Sequence, residues 1–444
     1  MNMESPVQAA FARPYVVSWN LTYRCNLACE HCYLDAGGSP LVESEAFSDR
    51  SELNTEQCKK VVDDISAFAP EALTILTGGE PLLRRDIIPI IRYANEKELW
   101  VVVGTNGVSI TPTLAQLLKK EGVRGLALSL DALDADKHDE FRAIKGAWKN
   151  TVRGAKILHE TDLPFIVQTT VGRHNLGELE QLADFAHEEM GAKVWNLYFL
   201  VQTGRGQFVS DITPAEYDEV LATLFALQAK YKDRMIVNAK CAPHYVKTVF
   251  ERDPDSPFLK SYSGGAGGCP AGTHYMGIRP NGDVTPCPYL PQFGGNLKEE
   301  TLSDVWANSA LFKELRQRSD LGGRCGSCEF NSSCGGCRAR AYGVTNDVLA
   351  EDPLCSYQPG TLPEAKEKLS QPSVEYGALL EKPEIPITWD DAARDRMKKI
   401  PAFVRGMVSR AVESHCAKSG IQHVTVEQLE KIRSRMPTPK VFRR

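Results

Sequence analysis

Cys25-Asn-Leu-Ala-Cys29-Glu-His-Cys32 places three thiols within one short loop, directly after the β-branched run Tyr15–Trp19. Thiolate is the preferred ligand of iron–sulfur clusters, and this spacing lets one loop wrap a [4Fe–4S] cube and hold three of its irons, leaving the fourth open. The competing reading is a zinc loop whose fourth ligand comes from outside, either His31 or a distant cysteine.

Outward from the loop, the same strand-then-loop pattern repeats. Further strand candidates are Leu73–Leu76, Trp100–Val103, Gly125–Leu130, Phe165–Val171 and Val194–Phe199, alternating with helix candidates Thr55–Phe68, Asp86–Glu96, Thr111–Glu121, Trp148–His159, Leu176–Glu189 and Pro214–Tyr231. Six βα units predict an α/β fold with a partial parallel barrel, whose chemistry gathers at the C-terminal strand ends. The expected organisation is a tail over 1–12, the barrel over 13–235, a Cys-rich module over 236–360, a linker over 361–385 and a small helical domain over 386–444. Residues 254–268, containing Ser-Gly-Gly-Ala-Gly-Gly, read as a flexible joint. In the last domain Ile400, Phe403, Val404, Met407, Val408, Ala411 and Val412 form one apolar stripe.

The bulk numbers narrow the partner. The chain has 444 residues, 42% hydrophobic and 25% charged, enough for a barrel-sized core and smaller modules. A net charge of -5 supplies no global attraction to nucleic acid or an anionic membrane, so the expected partner is a small molecule. The first twenty residues lack a basic start followed by an apolar stretch, and no window approaches the ~20 apolar residues of a membrane span, which predicts a soluble, cytoplasmic protein. In that compartment thirteen cysteines point to metal ligation, because disulfides do not persist there.

The CxxxCxxC loop after the first strand, followed by Gly78-Gly79-Glu80-Pro81 after the second, resembles the radical S-adenosylmethionine (SAM) family. The resemblance implies that the open iron of a cube on Cys25, Cys29 and Cys32 chelates SAM, which reduction then splits to a 5′-deoxyadenosyl radical. It further implies that Gly78 and Gly79 admit the methionine end, that Glu80 meets its ammonium, and that Thr105 and Asn106 after strand three and Ser129 and Asp131 after strand four contact SAM or its ribose. Where relatives commonly carry an aromatic residue before the third cysteine, this chain has His31.

A second group, Cys325-x2-Cys328-x5-Cys334-x2-Cys337-x17-Cys355, preceded by Cys269 and Cys287, resembles the SPASM-type auxiliary-cluster domain of the same family, with the gap between Cys334 and Cys337 one residue shorter than is common. Two complete cubes need eight thiolates. The module offers seven, so either one cluster has an open site or Cys241 joins from outside. His244 is a possible distal ligand or substrate contact, Cys58 and Cys416 read as structural, and a zinc ribbon is the alternative for Cys325 to Cys337.

Gly268-Cys-Pro-Ala-Gly272, Pro280-Asn-Gly-Asp-Val-Thr-Pro-Cys-Pro-Tyr-Leu-Pro291 and Cys334-Gly-Gly-Cys-Arg-Ala-Arg-Ala-Tyr342 look like the tetrapyrrole branch of the family, above all its alternative haem synthases. The resemblance implies oxidative decarboxylation of two propionates of iron-coproporphyrin III to vinyls, giving haem b, with electrons from a flavodoxin or ferredoxin. Residues from Trp389-Asp-Asp-Ala through Val424-Thr resemble the small domain ending a subunit of light-independent protochlorophyllide reductase, a second pointer to tetrapyrroles. Anionic propionates need cationic clamps, for which Arg205, Arg338 and Arg340 are the candidates. The alternatives are side-chain removal from didecarboxysirohaem or its haem d1 counterpart, a peptide maturase, and a non-enzymatic electron carrier.

Overall fold

The computed structural model describes residues 13–37, 49–209, 212–232, 234–256, 258–259, 268–369, 386–398 and, apart from positions 410, 411, 414 and 418, 408–435. The expected tail, most of the joint and of the linker, and Ile400, Phe403, Val404, Met407 and Ala411 of the apolar stripe lie outside them.

Ten strands form one sheet: β1 Val16–Asn20, β2 Leu73–Thr77, β3 Trp100–Thr105, β4 Leu126–Ser129, β5 Phe165–Val171, β6 Val194–Phe199, β7 Ile236–Lys240, β8 Tyr275–Ile278, β9 Asp283–Thr285 and β10 Gly295–Asn296. Their spatial order is β10-β9-β8-β1-β2-β3-β4-β5-β6-β7. From β8 to β7 every neighbouring pair is parallel, while β9 and β10 add an antiparallel edge. The two end strands are not paired with each other, so the barrel is partial, as expected.

Alternation along each strand divides the residues between two faces. Val17, Trp19, Leu76, Val101, Val103, Leu128, Val167, Trp195, Leu197 and Val237 enter the main core, where helix residues such as Val61, Ile65, Ile90, Leu118, Leu158, Leu182 and Leu224 cover them. The alternate set, including Ser18, Thr77, Ser129, Gln168, Thr170, Asn196, Tyr198, Asn238 and Lys240, lines the concave face and is markedly more polar. Crossover helices start where local chemistry dictates. Thr55–Phe68 opens on a reciprocal Asn54–Gln57 capping box, and Pro214–Lys230 on Thr213–Glu216 with proline in its first turn.

Two expectations change, and one helix is added to those expected. Strand β7 falls beyond the expected barrel end at 235, and β8 pairs in parallel with β1, so the Cys-rich module continues the barrel's sheet. A helix over Ala135–Arg142 follows β4; its charged sequence carries little apolar periodicity. The start of the expected linker is packed, because helix Glu364–Leu369 buries Ala365 and Leu369 in the main core. At the C-terminal end, Val412, Cys416, Ala393, Val424 and Ile432 form a small separate core, with Val408 packed against it. Among the described residues no helix is long and apolar enough to cross a membrane.

Candidate functional site

The chain leaves β1 at Asn20 and enters the first cysteine loop, whose backbone is fastened on three sides. Gly79 and Glu80 N–H groups donate to Thr22 and Arg24 carbonyls (2.7 and 2.8 Å), Glu30 N–H donates to Phe141 O (3.2 Å), and Gly37 N–H to Tyr23 O (2.9 Å). Glycine is required at these contacts. A Cβ on Gly79 would stand 2.3 Å from Arg24 O, and one on Gly37 2.5 Å from Leu27 O and 3.3 Å from Cys25 Cβ.

All three sulfurs receive donors. Leu27 N–H reaches Cys25 Sγ (3.4 Å), Ala36 N–H reaches Cys32 Sγ (3.3 Å), and Arg142 Nη1 reaches Cys29 Sγ (3.6 Å). Such donors stabilise thiolate charge and tune cluster potential. Burial first, and the nearby Cys29, Glu80 and Cys32 after it, push the Cys25 thiol up to about 12, so it takes a metal's charge to hold the thiolate there. The loop therefore fits a cube held by three cysteines.

The residues expected around SAM divide into two groups. Gly78, Gly79, Asn106 and Ser129 lie at the ends of β2, β3 and β4, beside the cysteine loop; Asn106 Nδ2 donates to Asn26 Oδ1 within that loop (2.8 Å). Glu80, expected to meet the SAM ammonium, is held by its neighbours. Its buried carboxylate accepts from Thr105 Oγ1 (2.8 Å), Asn106 N–H (2.8 Å) and Leu82 N–H (3.1 Å), tying β2 to β3. Thr105 is likewise committed to Glu80, and burial pushes the carboxyl up to about 7 against the pull of these donors. Asp131 is also enclosed: Arg142 binds it through Nε (2.7 Å) and Nη2 (2.5 Å), and Thr170 N–H donates to it (2.8 Å). Burial pushes that carboxyl up, but Arg142 together with His31, His138 and the Thr170 N–H outweighs it and holds the group at about 2. Asp131 thus positions Arg142 against Cys29, a role no motif announced. His31 stacks on Phe141 at 4.3 Å, and Phe141 on His174 at 4.2 Å.

The auxiliary cysteines separate into two groups of four. Cys325, Cys328, Cys334 and Cys355 line a small cavity of about 20 Å³ together with Gly336, where a Cβ would come within 3.1 Å of Cys325 Sγ. Phe330 N–H donates to Cys328 Sγ (3.4 Å), Gly336 N–H to Cys334 Sγ (3.4 Å), and Arg338 Nη2 to Cys325 Sγ (3.8 Å). Cys269, Cys287 and Cys337 pack in a second cluster with Cys241 against them. Cys269 and Cys337 share a hydrogen bond that draws the first thiol down and pushes the second up. Cys241 adopts φ of 56°, a left-handed conformation costly for a side-chain-bearing residue, which aims its thiol toward this group from the end of β7. Cys58 lies buried in the main core and Cys416 in the C-terminal one, as expected of structural thiols.

The three arginines expected to clamp substrate have other work. Arg205 is buried and directs Nε to Cys29 O (2.9 Å) and Nη1 to Asp35 Oδ1 (3.0 Å) and Ala36 O (2.9 Å), bracing the first cysteine loop. Arg338 donates to Val348 and Ala350 carbonyls (2.9 and 2.7 Å). Arg340, fully buried, pairs with fully buried Asp352 (3.0 Å) and donates to Cys241 O (2.8 Å). His244 is buried, not on the surface: Nδ1 lies 2.8 Å from the Tyr217 hydroxyl and Nε2 lies 3.5 Å from Asp352 Oδ2 without hydrogen-bond geometry.

Between the first loop and the Cys241 group runs an aromatic wall that sequence reading missed. Tyr33, next to Cys32, packs tilted at 56° against Tyr289 with ring centroids 4.7 Å apart; Tyr289 lies two residues after Cys287 and 6.4 Å from Tyr198 on β6. Tyr33 donates to Asn20 Oδ1 (2.7 Å), and Gln168 Nε2 donates to the Tyr198 hydroxyl (3.2 Å).

The chain matches the Radical SAM superfamily over residues 19–186, the SPASM iron–sulfur cluster-binding domain over 269–337, and the proto-chlorophyllide reductase 57 kD subunit over 389–433. It is 37% identical to the "AdoMet-dependent heme synthase" of Methanosarcina barkeri over 352 residues, covering 78% of this chain and 97% of that one. It is 36% identical to the protein of the same name from Nitratidesulfovibrio vulgaris, covering 78% and 92%. In fold it is similar to Streptococcus suis SuiB bound to S-adenosylmethionine, with a TM-score of 0.62, 19% identity and 78% of each chain covered. The cysteine loop, the SAM-side strand ends and the auxiliary thiols together belong to an enzyme that binds [4Fe–4S] clusters and SAM. The chain is a member of the radical SAM superfamily, in the SPASM-bearing family of the AdoMet-dependent haem synthases.

Proposed function

We propose that this enzyme converts two propionate side chains of iron-coproporphyrin III to vinyl groups, giving haem b. The observation that carries the reading is the likeness to two proteins of that synthase name along nearly their whole length. When bound, SAM and its cluster supply a hydrogen-abstracting radical, and an auxiliary cluster supplies an acceptor for one electron. Each propionate loses a hydrogen atom from its β-carbon and carbon dioxide from its end, leaving one electron for that acceptor.

The residues fall into corresponding roles. Cys25, Cys29 and Cys32 hold the catalytic cube, with Arg142 and Arg205 fixing their loop. Gly78, Gly79, Asn106 and Ser129 receive SAM, while Glu80, Thr105 and Asp131 position the elements that do so. Cys241, Cys269, Cys287 and Cys337 hold one auxiliary cube, and Cys325, Cys328, Cys334 and Cys355 the other. The aromatic wall between the loop and the Cys241 group suits a flat macrocycle. A carrier such as flavodoxin or ferredoxin supplies the reducing electron, and the thirteen unpaired cysteines suit the cytoplasm.

The test is anaerobic turnover of iron-coproporphyrin III with SAM and reductant, followed by mass. The expected product is lighter by ~46 mass units per propionate, carbon dioxide plus two hydrogens. An unchanged porphyrin beside turnover of didecarboxysirohaem or of a peptide would replace this reading with one of the alternatives.

A further inference from the structure

Lys240 ends β7 and stands in register with Tyr198 of β6, so both side chains belong to the concave face rather than to the helix-covered core. It is half-buried, and its side chain makes no hydrogen bond or ion pair with any described residue. Its surroundings are aromatic and thiol: Tyr198 beside it on the sheet and Cys241 next in the chain. The negative charge nearest it is the Cys241 thiolate, with no carboxylate paired to it among the described residues; a partly desolvated ammonium without a hydrogen-bonded carboxylate is costly, and a substrate carboxylate lowers that cost. The cations that might have served instead are committed, since Arg205, Arg338 and Arg340 donate to the protein itself. Ligands of parallel sheets bind at the C-terminal strand ends, and that is where Lys240 lies.

We infer that Lys240 is a carboxylate-binding residue of the substrate chamber, pairing with a propionate of the bound tetrapyrrole at the side nearest the Cys241 group. The inference rests on the proposed function and adds to it the residue that recognises the substrate's charge. Lys240 acts here by binding and placing a carboxylate, with no bond made or broken on its own side chain.

The experiment compares binding of iron-coproporphyrin III and its tetramethyl ester to the anaerobically reconstituted holoenzyme, read from the porphyrin absorption band. Wild type is expected to bind the acid more tightly than the ester. In Lys240→Met, which keeps the length of the side chain and removes the charge, that preference is expected to fall at least about tenfold, the effect of one lost charged contact. Lys240→Arg is expected to restore most of it. The ratio is internal to each variant, so partial folding or cluster loss does not imitate the result. An unchanged acid-to-ester ratio in Lys240→Met would overturn the inference. A wild type that binds neither porphyrin would instead overturn the proposed function, and the two failures are distinct.

Discussion

Arg340→Ala is expected to cost about 3–5 kcal/mol of stability, the range for removing one partner of a buried ion pair. Both side chains are fully buried, so the charge left on Asp352 has no water to turn to. The damage spreads because the pair is a hub. Asp352 also accepts from Cys337 N–H (2.6 Å) and Leu354 N–H (3.1 Å), the residue before Cys355, while Arg340 holds Cys241 O and, through Nε, Leu200 O (3.3 Å). One ion pair thereby braces ligands of both auxiliary groups. Arg318 adds a second link, donating to Cys334 O (3.0 Å) and Cys269 O (2.7 Å). Urea midpoints and iron per chain are the measurements. With three cubes loaded, iron is expected to drop from about twelve towards about four in Arg340→Ala. Retention of all the iron at an unchanged midpoint would remove the hub from the account.

Arg142→Ala is expected to be of similar size, about 3–5 kcal/mol, and to strike the catalytic end. It strips Asp131 Oδ2 of both its guanidinium nitrogens and Cys29 of its donor in one change. The pH dependence separates this from simple cavity formation. In wild type the depressed Asp131 pKa gives stability that is present above the unfolded value and lost as pH falls toward about 2. In the variant burial acts on Asp131 without its counter-charge, the pKa moves up instead, and the penalty grows as pH rises. The midpoint difference between variant and wild type is therefore expected to be larger at pH 8 than at pH 5. A difference that is flat across that range would show that the loss is packing alone.

What the sequence revealed and concealed follows from how each feature is encoded. The first cysteine loop and the crossover helices were legible because thiol spacing and apolar period are local; helix Thr55–Phe68 and strands Phe165–Val171 and Val194–Phe199 lie where periodicity places them. β7 was not, because Ile236-Val-Asn-Ala-Lys240 turns polar side chains to the concave face and offers too short an apolar signal. The partition of the auxiliary cysteines was open for another reason. Cys241 reaches its group through a left-handed backbone turn and a long-range fold, neither of which spacing records. The arginines were misread because charge and motif do not say where a donor points: Arg205 comes from beyond β6 to brace a loop far back in the chain.

The claim beneath all of this is that the loop after β1 holds a cube with one iron left for SAM. The direct measurement is reductive SAM cleavage by anaerobically reconstituted wild type and by the variant with Cys25, Cys29 and Cys32 all changed to alanine. Wild type is predicted to form 5′-deoxyadenosine and methionine, and the variant to form none above the protein-free background while retaining its auxiliary iron. Cleavage by the variant at the wild-type rate would contradict the account.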